Sequence, residues 1–357
     1  RYDIEVSGFP SSHAGHLSIL RLKEDDYPGA EKIEQWPSWT LPVLKWAQSQ
    51  GGITAYSHSG WGLEPMQPTN DLPNYVMAKF DGIGANEYVV TVAHDAVDFY
   101  SAGDTPWVWE MNTWYHALNA GFRTRISGET DYPCIYDDRV GMARTCVKLD
   151  CPLIFDVDAD RIKEGPRYVA AGNAHIFDFS VNGTEVGRNG SEVRLDKPGR
   201  VQVKARVNAL LPAKQTEVGA IIAARPLDKP PYWDIERARI GTSRKVAVEL
   251  IVNGKAVATK EIEANGNWQN VSFDTNLDKS SWVALRIHAT AHTNPIFALV
   301  GGKPVRASRE SIDWLRKAVD QCWRTKSPRI RPEEQAAAKA AYDHARQVYE
   351  QRLKEAQ

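Results

Sequence analysis

Two repeat lengths alternate along the first third of the chain. Trp39, Val43, Trp46 and Ala47 recur at helical spacing, which predicts an amphipathic helix from about residue 37. Gly51-Gly52 can end such a helix in the left-handed conformation without a Cβ penalty. The run ITAY at 53–56 then reads as a short buried strand leading to His58. The same grammar returns further on. Thr105 as N-cap, Pro106 at the first helical position and an apolar stripe of Trp107, Met111, Trp114 and Leu118 predict a second helix. Gly121 ends it, and 122–127 reads as a strand running into Gly128-Glu129-Thr130-Asp131. Between the two units, YVVTVAH at 88–94 reads as another buried strand. Strands alternating with helices predict a parallel sheet or barrel, where sites gather at the carboxyl ends of strands. His58, His94 and Asp131 fall at such ends.

Past residue 172 the period becomes two. IFDFSVNG at 176–183, RVQVKARV at 200–207 and WVALRIHA at 282–289 alternate inward and outward positions. Residues 246–252 and 255–261 flank Asn253-Gly254, the sequence signal of a two-residue hairpin. This half predicts an antiparallel β-sandwich. Ser308 then caps a helix to about Lys326, and Pro332 opens a last one. Its stripe of Ala338, Tyr342, Ala345, Tyr349 and Leu353 predicts docking on the body of the protein. The expected organisation is therefore an α/β barrel-type region over 1–172, a β-sandwich over 173–305 and C-terminal helices over 306–357.

Composition narrows the classes. With 357 residues, 42% apolar and 25% charged, the chain suits about two ordinary globular domains and excludes disordered, collagen-like and coiled-coil classes. Lys and Arg number 44 against 45 Asp and Glu, a net charge of −1. That balance, with no run of five like charges, lacks the footprint of a nucleic-acid binder. No apolar window approaches the length of a membrane span. Cys134, Cys146, Cys151 and Cys322 form no CxxC pair. They read as structural cysteines, and a Cys134–Cys146 disulfide would fit an exported protein.

The residues that carry chemistry fall in three places. Glu5, His13 and His16 precede the apolar run at 17–20, which would set one carboxylate and two imidazoles on a common rim, a donor set suited to Zn, Mn or Fe. Two surface histidines on a loop would give the same pattern. His58 precedes Ser59-Gly60-Trp61-Gly62, small residues that leave room beside its ring, and Asp131 repeats that position one unit later. His94 with Asp95 would serve as a ligand, an orienting pair or a satisfied core histidine.

From Glu5 to about Ala171 the chain resembles the carbaryl-hydrolase (CehA/McbA) branch of the PHP superfamily, the polymerase and histidinol phosphatase metallohydrolases. The resembling segments are the Glu5 stretch ending in GHLSIL, AYSHSGW, WYHALNAGFRTRISGETD, VGMARTCV and RYVAAGNAHIFDFSVNG. The resemblance implies a distorted barrel holding two or three divalent ions, with Glu5, His16, His58 and Asp131 as ligands. His13, His94, Asp95 and Glu129 are further positions around them. The later half is similar to the family's appended β-sandwich, closing at HTNPIFALVGGKPVRAS over 292–308.

That resemblance implies a metal-dependent hydrolase acting on an ester, carbamate or phosphoester bond of a small molecule. Two close ions would acidify a water, Glu5 bridging them and Asp131 orienting the water. Trp61 would offer an aromatic wall to a substrate, and Arg125, with Arg123 and Arg139, would neutralise an anionic group; core packing and ordinary ion pairs are their other roles. Two features depart from the family: the chain holds no HxH pair, and the usual aspartate-x-histidine ending is Asp131-Tyr132-Pro133. The HxH part is expected upstream of Arg1 or on a separate N-terminal fragment that completes the barrel. Its loss would instead make the chain a degenerate PHP-like binding or assembly protein. The family habit favours a periplasmic or secreted location, with the cytoplasm as the alternative.

Overall fold

The computed structural model describes residues 1–8, 10–132, 141–148, 152, 162–165 and 167–356. The first strands are β1 (Tyr2–Val6), β2 (Leu17–Leu22), β3 (Ile53–Tyr56), β4 (Phe99–Ala102) and β5 (Arg125–Gly128), hydrogen-bonded in the order β1-β2-β3-β4-β5. The sheet is mixed where a parallel one was expected. β3, β4 and β5 are parallel, whereas β1–β2 and β2–β3 are antiparallel. The short link over 7–16 allows only that return, because parallel neighbours need a crossover of a dozen residues or more. Among the described residues β1 and β5 are open edges of this hydrogen-bonded order.

One face of the sheet carries Tyr56, Tyr100 and Ile126, packed in a large core with α1 (Thr40–Ser49), α2 (Tyr88–Thr91) and α3 (Trp107–Asn119). The other face carries Ile53, Ala55 and Phe99, with Leu20 and Ile162 against them. Two local expectations are corrected here. Residues 88–94 form a helical turn and a 3₁₀ turn, ended by Asp95 at φ 52°. Every residue from Tyr88 to Ala93 is buried, and a short apolar run buried on all sides looks alike as strand or helix. The N-cap of α3 is Pro106, not Thr105. The Thr105 hydroxyl instead donates to Glu110 and accepts from the Gly60 amide.

The second half builds two sheets. One contains β6 (Arg144–Val147), β7 (Arg167–Ala170), β10 (Glu192–Leu195), β12 (Lys245–Val252), β13 (Lys255–Glu263), β15 (Ser281–Ile287), β16 (Ala291–Thr293) and β17 (Ile296–Val300). The other is β14-β11-β8-β9, formed by β8 (Ala174–Val181), β9 (Thr184–Glu185), β11 (Gly199–Ala209) and β14 (Gln269–Leu277). Val201, Val203, Val271 and Phe273 of the second share one hydrophobic cluster with Val248, Leu250, Leu285 and Ile296 of the first. The β12–β13 turn is Asn253-Gly254, both at positive φ, with Val252 paired to Lys255. Between β11 and β12 lie α4 (Glu217–Ala224) and the segment bearing Tyr232 and Trp233.

The last two helices are α5 (Arg309–Lys326), capped by Ser308, and α6 (Gln335–Glu355). α6 begins three residues after Pro332, with Glu334 as N-cap. Ile312, Trp314, Leu315 and Val319 of α5 and Ala338, Tyr342, Ala345 and Tyr349 of α6 all join the core of the first sheet. Cys322 is buried and donates to the Asn86 carbonyl. Cys134, Cys151, Arg139 and Pro133 lie outside the described residues, and with them the Cys134–Cys146 pairing. Among the described residues no helix is long and apolar enough to cross a membrane.

Candidate metal centre

Strand ends bring six ionisable side chains to one rim of the first sheet. Glu5 is on β1, His16 immediately precedes β2, His58 follows β3, Asp104 follows β4, and Glu129 and Asp131 follow β5. His58 is the hub. Its Nε2 lies 3.1 Å from Glu5 Oε1, and its Nδ1 lies 2.7 Å from Asp104 Oδ2 and 3.7 Å from Asp131 Oδ2. Glu5 Oε1 is also 3.3 Å from His16 Nδ1, and the two imidazoles meet edge to face at 5.4 Å. Glu129 Oε1 accepts the His58 backbone N–H at 2.5 Å. His58 and Asp131 both sit at positive φ, 47° and 52°, a left-handed conformation that Asp and His adopt more readily than most side chains.

The loop that presents Asp104 is fixed from below by Glu110, a fully buried carboxylate in the first turn of α3. Its Oε1 accepts from the amides of Gly103 and Thr105 at 2.9 and 3.1 Å and from the Thr105 hydroxyl at 2.6 Å. Its Oε2 accepts from the Trp233 indole at 2.9 Å. Gly103 adopts φ 123°, and a Cβ there would lie 1.9 Å from the Ala143 Cβ, so the approach to Asp104 requires glycine. Burial and the Asp104 charge raise the Glu110 carboxyl to about 8, against the pull of its donors.

The electrostatics of the rim are those of crowded carboxylates held by two rings. Hydrogen bonds from His16 and His58 hold Glu5 down at about 2. Burial opposes charge on His58, yet hydrogen bonds to Asp104 and Glu5 and the nearby acids carry it up to about 11. Burial raises both Glu129, strongly, and Asp131. Four carboxylates thus share one partly buried site with two imidazoles, and Asp104 Oδ1 is buried without a hydrogen-bond partner. A divalent cation answers both features, supplying positive charge and taking up the unpartnered oxygen. Glu5, His16 and His58 form one group able to hold an ion, and His58, Asp104 and Asp131 another.

Of the residues singled out in the sequence, Glu5, His16, His58, Glu129 and Asp131 come together. Others do not. The His94 ring bonds the Ala341 carbonyl at 2.9 Å and packs on His344, and the Asp95 carbonyl accepts from Gln48, so this pair serves the docking of α6 and α1. His13 Nδ1 lies 2.9 Å from the Pro10 carbonyl and belongs to neither group; burial, with the Lys326 charge, lowers it to about 4. Arg125 is buried at the opposite, amino-terminal end of β5 and belongs to neither group. Arg123 is paired with Glu192 at 2.6 Å. Trp61 joins Trp109 and Tyr232 in an aromatic trio, ring centroids 6.2 and 6.3 Å away.

Sequence reasoning missed Asp104 and Glu110. Asp104 follows a strand just as His58 and Asp131 do, and that position was the available signal. The chain matches no family model, no curated protein and no solved structure.

Proposed function

We propose that the chain is a metal-dependent hydrolase that cleaves an ester, carbamate or phosphoester bond of a small molecule. The observation that carries this reading is the convergence of Glu5, His16, His58, Asp104, Glu129 and Asp131 on one rim, with a buried Asp104 oxygen left over. The quoted resemblance to PHP metallohydrolases supplies the reaction class. On this reading β1–β5 belong to a PHP-type barrel and the later sheets to its appended sandwich. Glu5, His16, His58, Asp104 and Asp131 hold Zn, Mn or Fe, two or three ions in all. Bound ions supply Lewis acidity and an acidified water.

The chain's own residues do the rest. Asp104 accepts the Nδ1–H of His58 through Oδ2, which sets the ring orientation and would leave Nε2, once deprotonated, to an ion beside Glu5, while Asp104 Oδ1 stays open for an ion of its own. Glu129 accepts the His58 amide and keeps that residue in its left-handed conformation. Asp131, partly exposed at the rim and 3.7 Å from His58 Nδ1, would hold an ion and orient the water beside it. The Trp61 trio offers an apolar wall beside the His58 loop.

Element-resolved metal analysis of the purified protein tests the reading, followed by a screen of aryl ester, carbamate and phosphoester substrates. About two equivalents of metal are expected, lost in His58→Ala and Asp131→Ala. Asp104→Asn should keep the fold and weaken metal affinity roughly 10- to 100-fold. A wild-type protein that holds no metal and turns over none of these substrates would sink the hydrolase and favour a degenerate binding protein.

A further inference from the structure

At the other end of the sheet lie two buried arginines that the rim does not use. Arg125 opens β5 and Arg167 opens β7, so the pair straddles the seam between the first sheet and the second half of the molecule. Arg167 is 1% exposed and Arg125 6%. None of the three guanidinium nitrogens of Arg167 has a hydrogen-bond partner. Arg125 has one weak contact, Nη1 to the Pro295 carbonyl at 3.5 Å. Each guanidinium lies over an aromatic face, Arg167 over Phe99 at 5.2 Å and Arg125 over Phe297 at 5.7 Å, which leaves the in-plane donors free of those rings.

The neighbouring charges are already spent. Asp98, the acid whose charge acts on Arg167, is 3.2 Å from Lys163 and accepts from the Thr54 amide and hydroxyl. Glu192 is held by Arg123 and Arg194. Burial together with their mutual repulsion pushes Arg167 down to about 9, and burial with the Arg123 charge pushes Arg125 to about 10. Gly165, at φ 89°, lays bare backbone beside Arg125, where a Cβ would come within 2.8 Å of Nε. A buried cation without a partner is costly, and the planar fork of arginine matches two oxygens of one anion.

We infer that Arg125 and Arg167 form a binding site for a small inorganic oxyanion, phosphate or sulfate, that ties the first sheet to the second half of the molecule. The anion's negative oxygens take the unfilled donors of Arg167 and neutralise a pair of charges that face no free carboxylate among the described residues. Because the site lies at the amino ends of β4 and β5, away from the rim, it is a structural anion site and does not rest on the hydrolase reading.

The test is thermal unfolding of the chelator-treated protein in chloride, phosphate and sulfate at constant ionic strength, with ion chromatography of whatever anion the protein releases on denaturation. The expected result is a saturable rise of about 3–5 °C in phosphate or sulfate, or a stoichiometric anion already carried by the purified protein. The two salts, run separately, show which anion the site prefers. Arg167→Met should lose both the rise and the released anion while remaining folded in chloride, since it also removes the unpartnered charge. Arg125→Met is the second variant, with the same expectation. A wild-type midpoint indifferent to both anions with nothing released, or an equal rise in wild type and both variants, would overturn the proposal.

Discussion

Glu5 and His58 tie their protonation to the fold through the contact between Oε1 and Nε2. The carboxyl of Glu5 falls from its ordinary 4.5 to about 2 through His16 and His58. Its contribution to stability is therefore complete above 4.5 and lost as pH drops through 2. His58 rises from 6.5 to about 11, so its contribution is complete below 6.5 and lost as pH climbs through 11. The metal-free protein should accordingly be steadiest, as far as this pair decides, between 4.5 and 6.5. Urea midpoints of chelated protein across the pH range measure this. Glu5→Gln should flatten the acid limb and bring the alkaline loss to lower pH; an unchanged profile would show that the pair does not couple to folding. Residue by residue, the legible part of the site was the part that obeys a positional rule. His58 and Asp131 were found because they follow strand-like runs. Asp104 obeys the same rule but was hidden, since Asp-Thr-Pro reads first as the start of a helix. Arg125 shares the alternation of Ser127 and Glu129 along β5, but four residues at about 3.3 Å each set it well below the rim, on the same face at a different depth.

At the scale of elements, what the sequence made plain was whatever local chemistry decides alone. The Asn253-Gly254 hairpin needs two residues at positive φ and has them, and Ser308 caps α5 through the Ser311 amide. Residues 88–94 were misread because they are covered on one side by Tyr56 and Tyr100 of the sheet and on another by α5 and α6, more than two hundred positions away, which no local window contains. Those helices act as the lid of the first core. Trp314 of α5 stacks on His116 of α3 at 4.3 Å and donates its indole N–H to the Val76 carbonyl at 3.0 Å. It is 3% exposed. Trp314→Ala should lower stability by about 3–5 kcal/mol, read as a shift of the urea midpoint with unchanged metal content. A loss below about 1 kcal/mol would mean that α5 adds little to this core.

Across the whole molecule, the sequence suggested two regions with C-terminal helices docked on the body, and the packing runs through all of them. One cluster runs from Val6 through Ile126 to Trp233, Trp282, Phe297, Trp314 and Tyr349. Polar ties cross the same boundary: Trp282 to Asn119 at 2.8 Å, Trp233 to Glu110, and Tyr115 to His292 at 2.7 Å. Such long-range pairing cannot be read from periodicity, which reports which side of an element is apolar but not what covers it. Asn294 shows the coupling in a single side chain. Fully buried, it accepts the Ile126 amide at 2.7 Å through Oδ1 and donates to the Arg167 carbonyl at 3.2 Å through Nδ2, joining β5 to β7. If the halves unfold as one body, calorimetry should give a single transition, and Asn294→Ala should lower that one transition as a whole. The expected loss is about 1–3 kcal/mol, because the Ile126 N–H is left buried without an acceptor. Two resolved transitions, only one of them moved by the substitution, would mean that the halves fold separately and that the seam merely docks them.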